Sequence, residues 1–235
     1  MIEQLSMNLT TLSGRECGAK VNDVYEDAKK ELLDICLKML ENDLVIGSSG
    51  NASVRIDDHV VITPSSVFYT EMKIEDMVVL NLEGEILEGF RNPSIEWQMH
   101  LALYNNRSDA YAVVHTHSVY ASAMAVKQAP LLPILDETIP KLGSDIRVTE
   151  YYMPGTKELA MTVVKQIKDR SAVFLANHGA VCIAKTLQKA LFLAILLERA
   201  CKIFLIAQSG DGRITFLPEE VVEDEQDIWE MLSGY

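Results

Sequence analysis

From Asp23 to Asn42, Val24, Ala28, Leu32, Ile35, Cys36, Met39 and Leu40 recur at helical spacing between Lys and Glu residues. The pattern predicts an amphipathic helix with one face on a core. Residues 1–20 carry no such period and read as a poorly ordered, irregular extension. After the helix, the Gly/Ser turn Gly47-Ser48-Ser49-Gly50 leads into one short strand, and Val60–Ile62 forms another that ends in Pro64-Ser65-Ser66. A third strand, Met77–Leu82, closes at Glu83-Gly84-Glu85, while His59 after Asp57-Asp58 reads as an exposed turn residue. Ser94 stands where a cap would start a helix, with Ile95, Met99 and Leu103 on one stripe and Trp97, Leu101 and Tyr104 on the next. That places Glu96 in the first turn.

The second half repeats these periods. Ala112–Val114 is an apolar strand, Ser118–Val126 a helix and Gln128–Pro133 a connection, with a short strand about Ile146–Val148. A helix over Lys157–Lys168, a strand over Ala172–Ala176 and a long helix over Leu187–Ala207 follow. The long helix carries Leu191, Phe192, Leu193, Ile195, Leu196 and Leu197, apolar on more than one face. It is therefore either central to the domain or buried against a neighbouring subunit. An acidic tail from Glu219 holds Trp229, Met231 and Leu232 as docking residues.

Chemistry gathers at the strand ends. His115 and His117, one residue apart, project to the same face of a strand, which makes half a metal site. His178, in Asn177-His178-Gly179, also follows an apolar run, and Glu96 offers a carboxylate. Three neutral imidazoles with one open position suit catalytic zinc. Against this stands the ordinary reading, in which a lone histidine beside a strand is a satisfied polar residue, Glu96 a helix-dipole partner, and His100 a core residue or a group behind the site. The Gly/Ser turn at residues 47–53 frees backbone N–H groups for an anion, although most such turns are only loops.

Composition narrows the picture. Hydrophobic residues make up 49% and charged residues 23% of 235 positions, ordinary globular usage that favours one domain. A net charge of −13 without clustered Lys or Arg argues against nucleic acid. Glu198, Arg199 and Lys202 interrupt the most apolar stretch, so no membrane span is expected, and Glu3 and Gln4 spoil a signal peptide. The expectation is a soluble, cytoplasmic protein with four reduced, structural cysteines.

Gly50-Asn51-Ala52-Ser53-Val54-Arg55, Ile62-Thr63-Pro64-Ser65-Ser66, Ser94-Ile95-Glu96-Trp97, His115-Thr116-His117 and Asn177-His178-Gly179 resemble, in order and separation, the class II aldolase/adducin family. The resemblance spans about residues 25–207. It implies an α/β fold with one domain, a central, mainly antiparallel sheet flanked by helices, occupying residues 23–210 between an extension (1–22) and the acidic tail (211–235). It also implies a fourfold-symmetric homotetramer with sites at subunit interfaces. His115, His117 and His178 match the ligands of Zn2+, with Mn2+ or Co2+ as other candidate metals. Glu96 matches the acid that binds the metal at rest and acts as acid/base, and Asn51, Ser65, Ser66 and Ser94 match phosphate contacts.

Two departures matter. Ile95 stands where fuculose-phosphate aldolases have a second serine, and Glu137 falls close to the place of their proton-donating tyrosine. Glu137 is thus the candidate for moving the proton on the hydroxyl that becomes the aldehyde. The activity implied is an aldehyde-lyase that reversibly cleaves a ketose 1-phosphate of the fuculose, deoxyribulose or methylthioribulose type to dihydroxyacetone phosphate and a small aldehyde. The rival readings are a methylthioribulose-1-phosphate dehydratase, a pentulose-5-phosphate 4-epimerase and a non-catalytic adducin-like interaction module.

Overall fold

The computed structural model describes residues 16–210 and 212–233; residues 1–15 of the expected extension lie outside the described residues. The strands are β1 (Asn51–Ile56), β2 (His59–Ile62), β3 (Val78–Asn81), β4 (Ile86–Glu88), β5 (Ala112–Thr116), β6 (Ala172–Leu175) and β7 (Gly179–Ala184). They form one sheet in the order β4-β3-β2-β1-β5-β7-β6, and every neighbouring pair is antiparallel. This is the α/β architecture, an antiparallel sheet between helices, that the family resemblance implied.

Strand side chains alternate between faces, so each apolar strand feeds two cores. Val60, Ile62, Val78, Leu80, Val113, Val173 and Val181 pack beneath α2 (Trp97–Asn106) and α5 (Lys157–Ile167). Ala52, Val61, Val79, Ala112, Val114, Phe174 and Cys182 face α1 (Glu16–Glu41), α3 (Val119–Lys127) and α6 (Leu187–Ser209). Burial on both faces explains why β5 and β6 read as unbroken apolar runs rather than alternating ones. Of the two readings of the long helix, the central one holds within the chain, since α6 packs on β5, β7, α1 and α3.

The short α4 (Ile139–Leu142) carries α7 (Glu219–Ser233), the helix of the acidic tail. Trp229 is buried to 1% exposure, and the Ser144 N–H donates to Gln226 Oε1 at 3.1 Å. The tail therefore docks on its own chain.

Several local expectations shift. α1 begins at Glu16, inside the stretch read as irregular, because extending a formed helix is easier than nucleating one. His59 is not in an exposed turn but opens β2, its Nδ1 against the Tyr25 hydroxyl. Residues 146–148 form only isolated bridges, Ile146 with Leu131 and Val148 with Phe174. α2 starts at Trp97, so Ser94 is not its cap, and Ile95 points outward at 62% exposure rather than joining the apolar stripe. Cys36, Cys182 and Cys201 are buried and unpaired, as expected for structural thiols, and burial pushes Cys182 up to about 12.

Candidate active site

β1 and β5 pair with Asn51 directly opposite His115. Asn51, Ser53 and His115 consequently share the sheet face covered by α2. At the end of β5 the chain continues to His117, whose N–H donates to the Leu44 carbonyl at 3.0 Å. His178 arrives from the β6–β7 turn, where Asn177 takes a left-handed conformation (φ 55°) and accepts a hydrogen bond from Gln128 Nε2 at 2.9 Å. The three imidazoles stand in a propeller, each pair of ring centres 4.8 Å apart and tilted 70–73°. Ring nitrogens of the three lie within 4.8 Å of one another.

Glu96 completes this group from the cap position of α2, where the helix dipole favours a carboxylate. Its N–H donates to Ser94 Oγ at 3.3 Å, and its Oε2 accepts from Asn51 Nδ2 at 2.9 Å and lies 3.1 Å from His115 Nε2. Its Oε1, 3.8 Å from His178 Nε2, is buried without a hydrogen-bond partner. Buried carboxylate oxygens are rarely left so. This orphaned oxygen beside three convergent imidazoles fits a divalent cation with nitrogen and oxygen ligands. His115 adds the matching outer contact, Nδ1 donating to the Ala180 carbonyl at 3.0 Å, which leaves Nε2 for the site.

Electrostatics agree with that chemistry. Burial, together with the charge on His115, pushes His117 down to about 3 and His178 to about 4. Both imidazoles are then neutral near pH 7, the form that binds metals. Burial acts to raise the Glu96 carboxyl, but the charge and hydrogen bond of His115, with His178 and Asn51, hold it well below the usual carboxylate range. His115 shifts oppositely: burial lowers it, and the Glu96 carboxylate outweighs that and raises it.

A cavity of about 290 Å³ opens over this group, lined by Ser48, Ser49, Gly50, Asn51, Ser65, Ser66, Ser94, Ile95, Glu96, His117, Pro154 and His178 among others. Asn51, Ser65, Ser66 and Ser94 all reach it. The loop after β2 is pinned to the segment before Glu96, Ser65 N–H donating to the Asn92 carbonyl at 3.0 Å and Ser94 N–H to the Thr63 carbonyl at 2.9 Å. Gly50 is required by space as well as by its φ of 74°: a Cβ there would sit 2.7 Å from the His115 carbonyl oxygen. Glu137 is not in this group. It lies on the 3-10 turn Asp136–Thr138, ion-paired with Arg199 and 44% exposed, away from the lining of its own chain's cavity. The sequence reading passed over Ser48, Ser49 and Pro154 as lining residues, although the Gly/Ser turn had pointed to the first two.

The sheet thus brings three histidines together with a glutamate beside them under a hydroxyl-lined pocket, a donor set that suits a divalent metal and Lewis-acid chemistry on a small ligand. Residues 30–205 match the model of the Class II Aldolase and Adducin N-terminal domain, and the chain belongs to that family. It is 38% identical over 203 residues to a 5-deoxy-D-ribulose 1-phosphate aldolase of Bacillus thuringiensis serovar kurstaki, covering 86% of this chain and 94% of the relative. It is 32% identical over 193 residues to the L-fuculose phosphate aldolase of Escherichia coli strain K12, covering 82% and 89%. A solved L-fuculose 1-phosphate aldolase superposes with a TM-score of 0.83 at 38% identity, covering 87% of this chain and 96% of the other. Family and relatives make the chain an aldolase-class enzyme, a lyase.

Proposed function

We propose that this protein is a zinc-dependent aldolase that reversibly cleaves a ketose 1-phosphate to dihydroxyacetone phosphate and a small aldehyde. Fuculose, deoxyribulose and methylthioribulose 1-phosphates are the substrate types in view. The relatives named above, together with a 5-methylthioribulose-1-phosphate/5-deoxyribulose-1-phosphate aldolase of Rhodospirillum rubrum 34% identical over 167 residues, support that range. The observation that carries the reading is the partnerless, buried Oε1 of Glu96, 3.8 Å from His178 Nε2, at the edge of the cluster in which the ring nitrogens of His115, His117 and His178 converge.

His115, His117, His178 and, at rest, Glu96 would hold the metal, which supplies Lewis-acid stabilisation of charge on the substrate's carbonyl oxygen. Asn51, Ser65, Ser66 and Ser94 fix the phosphate and so aim the reacting carbon at Glu96. In condensation the ionised Glu96 takes a proton from the carbon that forms the new bond, and the aldehyde oxygen gains a proton as it becomes a hydroxyl. Cleavage reverses both transfers, the hydroxyl losing its proton and the protonated Glu96 returning its own to the carbon left behind. Glu137 moves the hydroxyl proton, acting at a neighbouring subunit's site because it does not line its own.

That role requires an oligomer, and we propose a homotetramer with sites at its interfaces. Ile46, Phe68, Ile95 and Met153, between 54% and 78% exposed, lie on or beside the segments that line the cavity and offer apolar surface for a neighbour. No helix among the described residues is long and apolar enough to cross a membrane. We place the enzyme in the cytoplasm, because a charged sugar phosphate does not enter a bilayer unaided.

The test is release of dihydroxyacetone phosphate from a panel of ketose 1-phosphates by zinc-loaded protein, followed through a coupled NADH assay with a chelated control. Metal-dependent release is expected. Consumption of substrate without that product would overturn the aldolase reading in favour of dehydration or epimerisation.

A further inference from the structure

Behind the site lies a titratable group that the mechanism above leaves unused. His100 sits on α2 four residues after Glu96, with no exposed surface. A ring so buried needs both nitrogens satisfied. Its Nε2 is 2.6 Å from Asn51 Oδ1 and its Nδ1 2.6 Å from Ser53 Oγ. Ser53 Oγ is in turn 2.7 Å from the Tyr104 hydroxyl, whose oxygen also takes a backbone hydrogen bond at Val113. Asn51, Ser53, His100 and Tyr104 are each 4% exposed or less.

The direction of every bond in this string follows from its first link. An ionised carboxylate only accepts, so Asn51 must turn Nδ2 toward Glu96 Oε2 and Oδ1 toward His100. A carbonyl oxygen only accepts, so His100 must carry its proton on Nε2. Its Nδ1 then accepts from the Ser53 hydroxyl, and Ser53 accepts from Tyr104. Burial pushes His100 down to about 3, which keeps the ring neutral with one proton to place.

We propose that His100 is a positioning residue for Glu96: its Nε2–H locks the Asn51 amide, which holds Glu96 Oε2 beside His115 and leaves Oε1 on the His178 side of the cluster. The proposal rests on the reading of Glu96 and the histidines as metal site and acid/base. Asn51 thereby acquires a second task beside the phosphate, with one Nδ2 hydrogen on Glu96 and one left for the pocket.

The experiment compares His100→Phe, which keeps an aromatic of similar shape, with His100→Gln, whose amide N–H can reach where Nε2–H does. Zinc affinity is measured by chelator competition and turnover by the coupled assay. His100→Phe is expected to lose about 10–100-fold in zinc affinity and kcat, the range for groups that orient metal ligands, with a smaller change in KM. His100→Gln is expected to recover most of both. Wild-type zinc affinity and kcat in His100→Phe, or no recovery in His100→Gln, would overturn the proposal.

If His100→Phe does not fold, the tautomer decides: imidazole 15N spectra of the zinc-loaded wild type must show His100 protonated at Nε2 and not at Nδ1, and the reverse refutes the lock. Absence of aldolase activity in the zinc-loaded wild type would sink the functional reading while leaving zinc affinity and tautomer to judge this one.

Discussion

Gly179 opens β7, immediately after His178, and the strand's first pairing runs beside Thr116 between the two other histidines of the triad. A Cβ on Gly179 would lie 2.1 Å from the Thr116 carbonyl oxygen and 3.1 Å from His117 Cδ2. Real Cβ atoms essentially never come within 3.0 Å, so β5 and β7 must part by about 0.9 Å at their histidine ends. The backbone oxygen is fixed by the sheet and cannot swing away as a flexible side chain would. Overpacking of this kind destabilises by about 1–3 kcal/mol. The larger effect falls on the site, where a displacement of about 1 Å costs on the order of 100-fold in rate.

Gly179→Ala should therefore unfold at lower urea by that margin, bind zinc at least about tenfold more weakly in chelator competition, and lose most turnover. Gly210→Ala is the control, since the nearest atom to its added Cβ is 4.0 Å away; a change within about 0.5 kcal/mol is expected there. Wild-type zinc affinity in a folded Gly179→Ala variant would show that the backbone contact does not set the ligand geometry, and the reasoning would fail.

Other consequences can be measured on the same protein. His117→Ala removes one of three convergent imidazoles and should abolish stoichiometric zinc and turnover; retention of one zinc per chain would end the ligand assignment. In metal-free protein, His100, His117 and His178 are held down to about 3–4, so below about pH 6.5 the unfolded chain takes up protons that the folded chain refuses. Stability should therefore decrease as the pH is lowered from about 6.5 toward 4, each of the three groups adding to the slope. Glu96, depressed in the fold, adds stability present above its unfolded value and lost in stronger acid, whereas His115, raised, contributes stability that is lost as pH rises. A urea midpoint that stays flat from pH 7 to pH 5 would contradict these assignments. Trp229→Ala opens a cavity under α7 and should cost about 3–5 kcal/mol, read as loss of helix cooperativity in thermal unfolding; an unchanged melting curve would show that α7 is not docked.

The sequence by itself determined the periodic elements and the identity of the reactive groups. Val60–Ile62 and Ala112–Val114 are apolar runs because both faces of their strands are buried, and the alternation of strand side chains put His115 and His117, two apart, on one side, although β5 itself ends at Thr116. Ordered motifs from Asn51 to His178 marked the family. Element ends were less legible: Glu96 at the cap of α2, rather than inside it, depends on the loop after β2 holding Ser94 by backbone bonds. Only the tertiary structure decided which distant residues meet. The Asn51–His115 register, the Glu96–Asn51–His100–Ser53–Tyr104 string and the docking of Trp229 span separations that no local period encodes. Glu137 shows the same limit, since falling close to the place of the family's tyrosine did not bring it to the cavity of its own chain. The physical reason is that periodicity reports which face of an element is apolar. Which faces come together, and which polar groups are then forced to satisfy one another, is set by the packing of the whole sheet and its helices.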